Sequence, residues 1–128
     1  MSCRTIDGSG HQQMRRPHSS RRRATGRALT ALLPMAPYSD IERIREMAHA
    51  AKFRDLPVSI AVWLAAIAHI RHEHTEYDSL LAEGYGQEAA RHYTMDAINE
   101  CLTRWRATRL LEEDELGHDE RIGNAPPV

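Results

Sequence analysis

The sequence contains little of what several classes of protein require. Its two cysteines, Cys3 and Cys101, are far apart, so they form neither the disulfide framework of a small secreted protein nor a pair spaced for metal binding. The longest apolar run, 60–68, is far shorter than the roughly 20 residues of a membrane-spanning helix. The region near the N-terminus lacks the apolar segment that a secretory signal contains. We therefore expect a cytoplasmic protein that does not enter the membrane.

Aromatic residues are also scarce, at 5% of the 128-residue chain, whereas hydrophobic residues as a whole make up 41%. This composition is that of a globular chain whose core is built mainly from aliphatic side chains. The length is that of a single domain.

The charge of the chain lies mostly at its two ends. Residues 1–34 hold seven arginines and one aspartate, a net charge of +6, whereas residues 112–128 have a net charge of −5. The stretch 35–111 between them is nearly neutral, at −2. This asymmetry, together with the low apolar content of the ends, predicts a disordered basic arm at 1–37, one domain at 38–110 and a disordered acidic tail at 111–128.

The basic arm has three interpretations that composition leaves open. It is a real arm whose arginines contact phosphates, or a mitochondrial transit peptide, because it is rich in arginine and poor in acids. Otherwise it is a translated upstream region, with Met35 as the true start. A short helix at 25–33 is compatible with each of them. The arginines expected to contact nucleic acid are Arg15, Arg16, Arg21, Arg22, Arg23 and Arg27.

Periodicity predicts four helices in the domain. A capping box formed by Ser39 and Glu42 predicts the start of the first helix. Pro57 suits the first turn of the second helix, which is apolar nearly all round from Val58 to Ile70 and is therefore expected to be buried. Thr75 is expected to cap a short third helix.

The fourth helix is predicted over 87–106, which completes an all-α fold, a compact bundle of about four helices. Trp63 and Trp105 are expected to anchor the core. Because a domain this small buries only about 60% of its unfolded surface, the apolar second helix favours a homodimer or docking to a protein partner. The predicted apolar stripe of the fourth helix is Ala90, Tyr93, Ala97, Cys101 and Trp105, widened by Ile98 and Leu102.

A pattern running from the end of the second predicted helix to the end of the fourth resembles a known family. It consists of a His-rich segment leading into Thr-x-Tyr-Asp-x-Leu-Leu, then an Ala-Arg pair and a closing Leu-x-x-Trp. On this pattern the chain resembles the family catalogued as domain of unknown function 2293, found in bacteria and fungi. The resemblance implies a helical fold and no particular activity. The matching residues are His69, His72, Thr75, Tyr77, Asp78, Leu80, Leu81, Ala90, Arg91, Leu102 and Trp105.

His69, His72 and His74 form a cluster of candidate metal ligands within six residues. Imidazoles at helical spacing can share a divalent metal, so a small metal-dependent enzyme is the alternative functional hypothesis. The only further histidines inside the domain are His49 and His92, and the spacing is not the His-Glu-x-x-His of metalloproteases. The leading interpretation is a polar helix end, because histidine is favoured at the negative end of a helix dipole.

The leading functional hypothesis is a non-enzymatic module, without a cofactor, that binds nucleic acid or a protein partner. The arm would supply contacts to phosphate that do not depend on sequence. A helix-turn-helix around residues 82–86 is a weaker alternative, because acids on the fourth helix would repel phosphate. No catalytic residue is predicted. The candidate binding residues in the domain are Arg71, Tyr77, Asp78, Arg91 and Arg104.

Overall fold

The computed structural model of the protein describes residues 20–115, and all regular secondary structure in this range is helical. Short 3₁₀ helices at Ala51–Phe53 and Glu113–Glu115 accompany five α-helices. The predicted all-α class is confirmed, and none of the helices in this range is long and apolar enough to cross a membrane. The α-helices are α1 (20–32), α2 (Tyr38–Ala48), α3 (Val58–His74), α4 (Tyr77–Ala82) and α5 (Gln87–Arg104).

The centre of the core is α3, the helix predicted to be apolar all round. Every residue from Ala61 to Ile67 is buried. A helix buried on all sides needs neighbours on all sides, and α2, α4 and α5 all contact it. The helix follows directly after Pro57, whose fixed φ suits the entry into a helix. It continues past Ile70 to His74, so His69, His72 and His74 all belong to its last turns.

The buried face of α5 differs from the predicted stripe at Tyr93, and Ala97 is only half-buried. Tyr93 is 63% exposed, and Thr94 takes the buried place expected for it. The reason is spacing, since Thr94 lies midway between the buried residues Ala90 and Ile98 on one face of the helix. Its hydroxyl donates a hydrogen bond to the Ala90 carbonyl at 2.9 Å, which offsets the cost of burying a polar group.

The prediction of a disordered arm is wrong for residues 20–37, because α1 belongs to the folded domain. Thr25, Leu29 and Leu33 recur every four residues, and all three are buried. Leu29 and Leu33 join the same core as α3. The prediction of disorder rested on composition. The segment contains four arginines, and a segment that polar is not expected to bury an apolar face.

Hydrogen bonds fix both ends of α1 to distant parts of the chain. At its start an arginine side chain reaches the carbonyls of the loop before α3, and after its end the backbone bonds to the segment that follows α5. The donors and acceptors are Arg21 Nη2 to the carbonyls of Phe53 (3.3 Å) and Leu56 (2.9 Å), the N–H of Met35 to the carbonyl of Trp105 (3.0 Å), and the N–H of Thr108 to the carbonyl of Leu32 (3.1 Å).

The folded chain also continues past the predicted end of the domain. Leu111 is buried, and its N–H donates to Asn99 Oδ1 at 2.8 Å while Asn99 Nδ2 donates to its carbonyl at 3.1 Å. The predicted start of the acidic tail at residue 111 is therefore too early. Residues 1–19 and 116–128, with Arg15 and Arg16, lie outside the described residues.

The start of α2 is also not as predicted. The helix begins at Tyr38 after Pro37, and no side chain caps it by a hydrogen bond. The capping box expected at Ser39 is therefore absent from this helix start. The shift places Asp40 in the first turn of α2, where its charge is favoured by the helix dipole.

We predict that Trp63→Ala and Trp105→Ala each lower the free energy of unfolding by about 3–5 kcal/mol, as loss of a buried aromatic does. Both side chains are 5% exposed. Urea denaturation measures the change, and Tyr93→Ala, at an exposed position, should alter stability by less than about 0.5 kcal/mol. A loss below about 1 kcal/mol for either tryptophan would place it outside the core.

A second substitution tests whether α1 is part of the cooperative unit. Leu29→Ala should cost about 2–5 kcal/mol, the range for truncating a buried leucine. Thr30→Ala, at the exposed position next to it, is the matched control and should be nearly neutral. Equal urea midpoints for the two variants would mean that α1 unfolds independently of the core.

Candidate functional site

Three side chains with metal-ligating atoms meet where the start of α2 approaches the end of α3. Nε2 of His69 is 2.6 Å from Oδ1 of Asp40, and Nε2 of His74 is 2.8 Å from the same oxygen. These three atoms all lie within 4.8 Å of one another. In this arrangement both imidazoles donate an N–H to one carboxylate oxygen, which ties the two helices together. We call Asp40, His69 and His74 the histidine cluster.

The two helix ends favour the charges that meet in the histidine cluster. Asp40 lies in the first turn of α2, where the helix dipole is positive, and His74 is the last residue of α3, where it is negative. A carboxylate is stabilised at the first kind of end and an imidazolium at the second. The orientation of the two helices therefore stabilises the cluster in addition to its hydrogen bonds.

Burial decreases steadily across the cluster towards solvent. The exposed fraction of the side chain is 5% for His69, 13% for Asp40 and 31% for His74. The ring of His74 packs edge-to-face against Trp105, with centroids 5.4 Å apart, and against His69 at 5.7 Å. His69 thus forms the inner side of the site, and His74 forms the side open to water.

The ionisation of Asp40 is set by two opposing effects. Burial raises the pKa of this carboxyl, but the hydrogen bonds from His69 and His74 and their positive charge together outweigh burial. The pKa of Asp40 consequently lies below its ordinary value of 3.8. At neutral pH the group is a carboxylate, able to accept two N–H donors or to bind a cation.

His72, the middle residue of the predicted metal-binding trio, does not join the cluster. Its Nδ1 is 2.8 Å from Oδ1 of Asp78, and its ring packs edge-to-face on Tyr77 at 5.3 Å. It faces α4, and Asp40 supplies the third potential ligand in its place. The sequence analysis missed Asp40 because that residue is 29 positions from His69, and no local pattern links the two.

The other candidate binding residues are placed mostly inside the protein. Arg71 and Tyr77 are buried, with the guanidinium of Arg71 5.5 Å from the centre of the Tyr77 ring. Arg91 is 7% exposed. Asp78 and Arg104 are exposed. The three arginines therefore do not gather on one exposed face.

A turn between α3 and α4 holds this region together. The hydroxyl of Thr75 donates to the carbonyl of Arg71 and accepts the N–H of Tyr77 at 3.2 Å. The N-cap of α4 is Glu76 and not the predicted Thr75, which follows the last residue of α3 and lies one position before the cap.

Cys101 lies in the core, as predicted. Burial raises the pKa of its thiol, and the nearby charge of Asp40 adds to this while Arg104 opposes it. The thiol is therefore protonated at neutral pH and is a poor nucleophile.

Exposed basic side chains gather on a surface that combines α1 with the loop before α3. Residues 20–33 contain four arginines and no acid, and Arg21 ties α1 to the carbonyls of Phe53 and Leu56. This contact places Phe53, the residue between Lys52 and Arg54, next to the Arg21 side chain. We call the exposed residues Arg22, Arg23, Arg27, Lys52 and Arg54 the basic surface.

Comparison with known proteins agrees with the resemblance seen in the sequence. A family model described as Uncharacterized conserved protein (DUF2293) matches residues 28–106. The matched range begins inside α1 and includes the whole histidine cluster. The chain has no significant match among curated proteins or among solved structures.

We predict that Asp40→Asn lowers stability by about 1–3 kcal/mol at neutral pH, the cost of weakening a partly buried charged hydrogen-bonding group. Because the folded-state pKa of Asp40 is lowered, its contribution is present above the ordinary value of 3.8 and is lost as pH falls through the folded-state value. The difference in urea midpoint between wild type and variant should therefore shrink below that pH.

Asp55→Asn, which changes an exposed acid, is the matched control and should have little effect on stability. A difference between wild type and Asp40→Asn that persists at the lowest pH where both proteins fold would contradict the assigned role of the carboxylate.

Proposed function

We propose, for a chain that belongs to the family described as uncharacterized conserved protein (DUF2293), a function as a non-enzymatic module that binds the phosphate backbone of duplex nucleic acid. The observation that supports this proposal is the basic surface, in which a folded helix exposes Arg22, Arg23 and Arg27 to solvent while its stripe of Thr25, Leu29 and Leu33 is buried. Arginine and lysine that neutralise phosphates release counterions, and this release supplies most of the affinity of sequence-independent binding.

A fixed helix such as α1 suits binding to a phosphate backbone better than a flexible arm does. The helix is roughly 20 Å long at 1.5 Å per residue, and Arg23 and Arg27 lie one turn apart on its exposed face. Because α1 is fixed at both ends, its arginines lose less conformational freedom on binding than those of a disordered segment.

The surface lacks the features of proteins that bind single strands. Such proteins stack bases on exposed aromatic rings. The stretches 20–33 and 50–57 contain one aromatic residue, Phe53, and it is buried. Phosphate contacts without stacking favour a duplex as the partner.

Apart from arginine, the surface also lacks the side chains that most often contact base edges and so recognise a sequence. Asparagine and glutamine contact adenine in the major groove, and neither occurs in 20–33 or 50–57. Binding is therefore expected to be nearly independent of sequence. The remainder of the domain has a slight excess of acids, which orients the basic surface towards the phosphates.

The test is a triple variant, Arg22→Gln with Arg23→Gln and Arg27→Gln, measured in the full chain. Fluorescence anisotropy with a duplex DNA at several salt concentrations gives the slope of log affinity against log salt. We predict that the triple variant lowers this slope by roughly 0.9 for each arginine that contacts a phosphate. Arg104→Gln removes one exposed arginine from α5, outside the basic surface, and should leave the slope unchanged.

These substitutions separate binding from folding, whereas a deletion does not. Removing residues 1–34 would also remove Leu29 and Leu33 from the core, so lost affinity could reflect unfolding. Full-length protein that shows no retention on duplex DNA at low salt would refute the proposal. So would a triple variant with the same slope and affinity as wild type.

A further inference from the structure

We infer that Asp40, His69 and His74 form a binding site for one divalent transition-metal ion of the zinc class. This site shares no residue with the basic surface, and the inference does not depend on nucleic-acid binding. The inference rests on the donor atoms, their convergence and their graded burial.

The donor set is that of a transition metal. Two imidazole nitrogens and one carboxylate oxygen suit zinc, cobalt and similar ions, whereas calcium and magnesium prefer oxygen donors alone. Three protein ligands leave a fourth coordination position for water or another ligand. His74, the most exposed of the three, places that position on the side open to solvent.

The convergence spans two helices and depends on the fold. Within residues 20–115, these are the three side chains whose potential ligand atoms all lie within 4.8 Å of one another. His69 is held in the core, and Trp105 packs against the ring of His74. Such constraints lower the entropy lost when the ligands are ordered around an ion.

A small adjustment converts the hydrogen-bonded cluster into a metal site. The Nε2–Oδ1 distances are 2.6 and 2.8 Å, whereas ligand atoms about 2.0–2.1 Å from a tetrahedral ion are roughly 3.3 Å apart. The oxygen must therefore separate by roughly 0.5 Å from the His74 nitrogen and by roughly 0.7 Å from the His69 nitrogen. His74, at the last residue of α3, can move for the first of these, and Asp40, in the first turn of α2, for the second. Each Nε2 also gives up its proton, to solvent or by a tautomer shift to Nδ1. Because protons compete with the ion for these nitrogens, affinity falls as pH falls.

The experiment measures binding of Zn²⁺ by calorimetry, and of Co²⁺ by its visible absorption, to the full chain without nucleic acid. The variants are His74→Ala and Asp40→Asn. His72→Ala is the matched control, because this exposed histidine lies two residues from His74 and bonds to Asp78 instead. Far-UV circular dichroism checks that each variant folds.

We expect wild type and His72→Ala to bind one ion with the same affinity, within about two-fold. His74→Ala should weaken this binding by more than about 100-fold. A loss of that size exceeds the roughly 10- to 100-fold cost of removing a residue that only supports a ligand. Asp40→Asn should abolish the Co²⁺ absorption seen in wild type.

Three results would overturn the inference. One is a wild-type chain that binds neither ion at micromolar concentrations. Another is an equal loss in His72→Ala and His74→Ala, which would indicate loose capture by neighbouring imidazoles. The third is unchanged binding in His74→Ala, which would place the ion on histidines elsewhere, such as His11 and His18. If Asp40→Asn fails to fold, His74→Ala decides alone, since its side chain is partly exposed.

Discussion

The burial of α3 on all sides is the constraint that the other helices satisfy. Its residues Ala61–Ile67 leave no face for solvent, so neighbours must surround it. A domain limited to residues 38–110 would lack Leu29 and Leu33, which are part of the same core. The first helix is therefore a structural part of the domain, and it covers apolar surface that would otherwise require a second copy or a partner.

The histidine cluster exists because this apolar helix ends in polar residues before it leaves the core. His69 is still buried, and a buried imidazole needs a hydrogen-bonding partner. Asp40 supplies it from α2, and the second bond, from His74, further lowers the pKa of the carboxyl. Folding and the proposed metal binding thus depend on the same carboxylate. It accepts hydrogen bonds from His69 and His74 in the folded protein, and it would ligate the ion in the proposed site.

Local patterns in the sequence were sufficient for the long helices α3 and α5, because each carries its own apolar signal over several turns. For α1 they allowed a short helix at 25–33 but not its place in the core, because the buried stripe of Thr25, Leu29 and Leu33 is diluted by arginines. They failed for the histidine cluster. Helical spacing grouped His69 with His72, but the position of α4 draws His72 to Asp78, and only the packing of α2 on α3 brings Asp40 to the site.

The attachment of α1 to the segment after α5 has a consequence for synthesis of the chain. α1 leaves the ribosome before the other described helices, yet the backbone partners of Leu32 and Met35 are Thr108 and Trp105. At roughly 5–20 residues per second, the helix waits several seconds with Leu29 and Leu33 uncovered. Exposed apolar surface promotes aggregation in that interval, and the arginines on the opposite face oppose it by mutual repulsion between nascent chains.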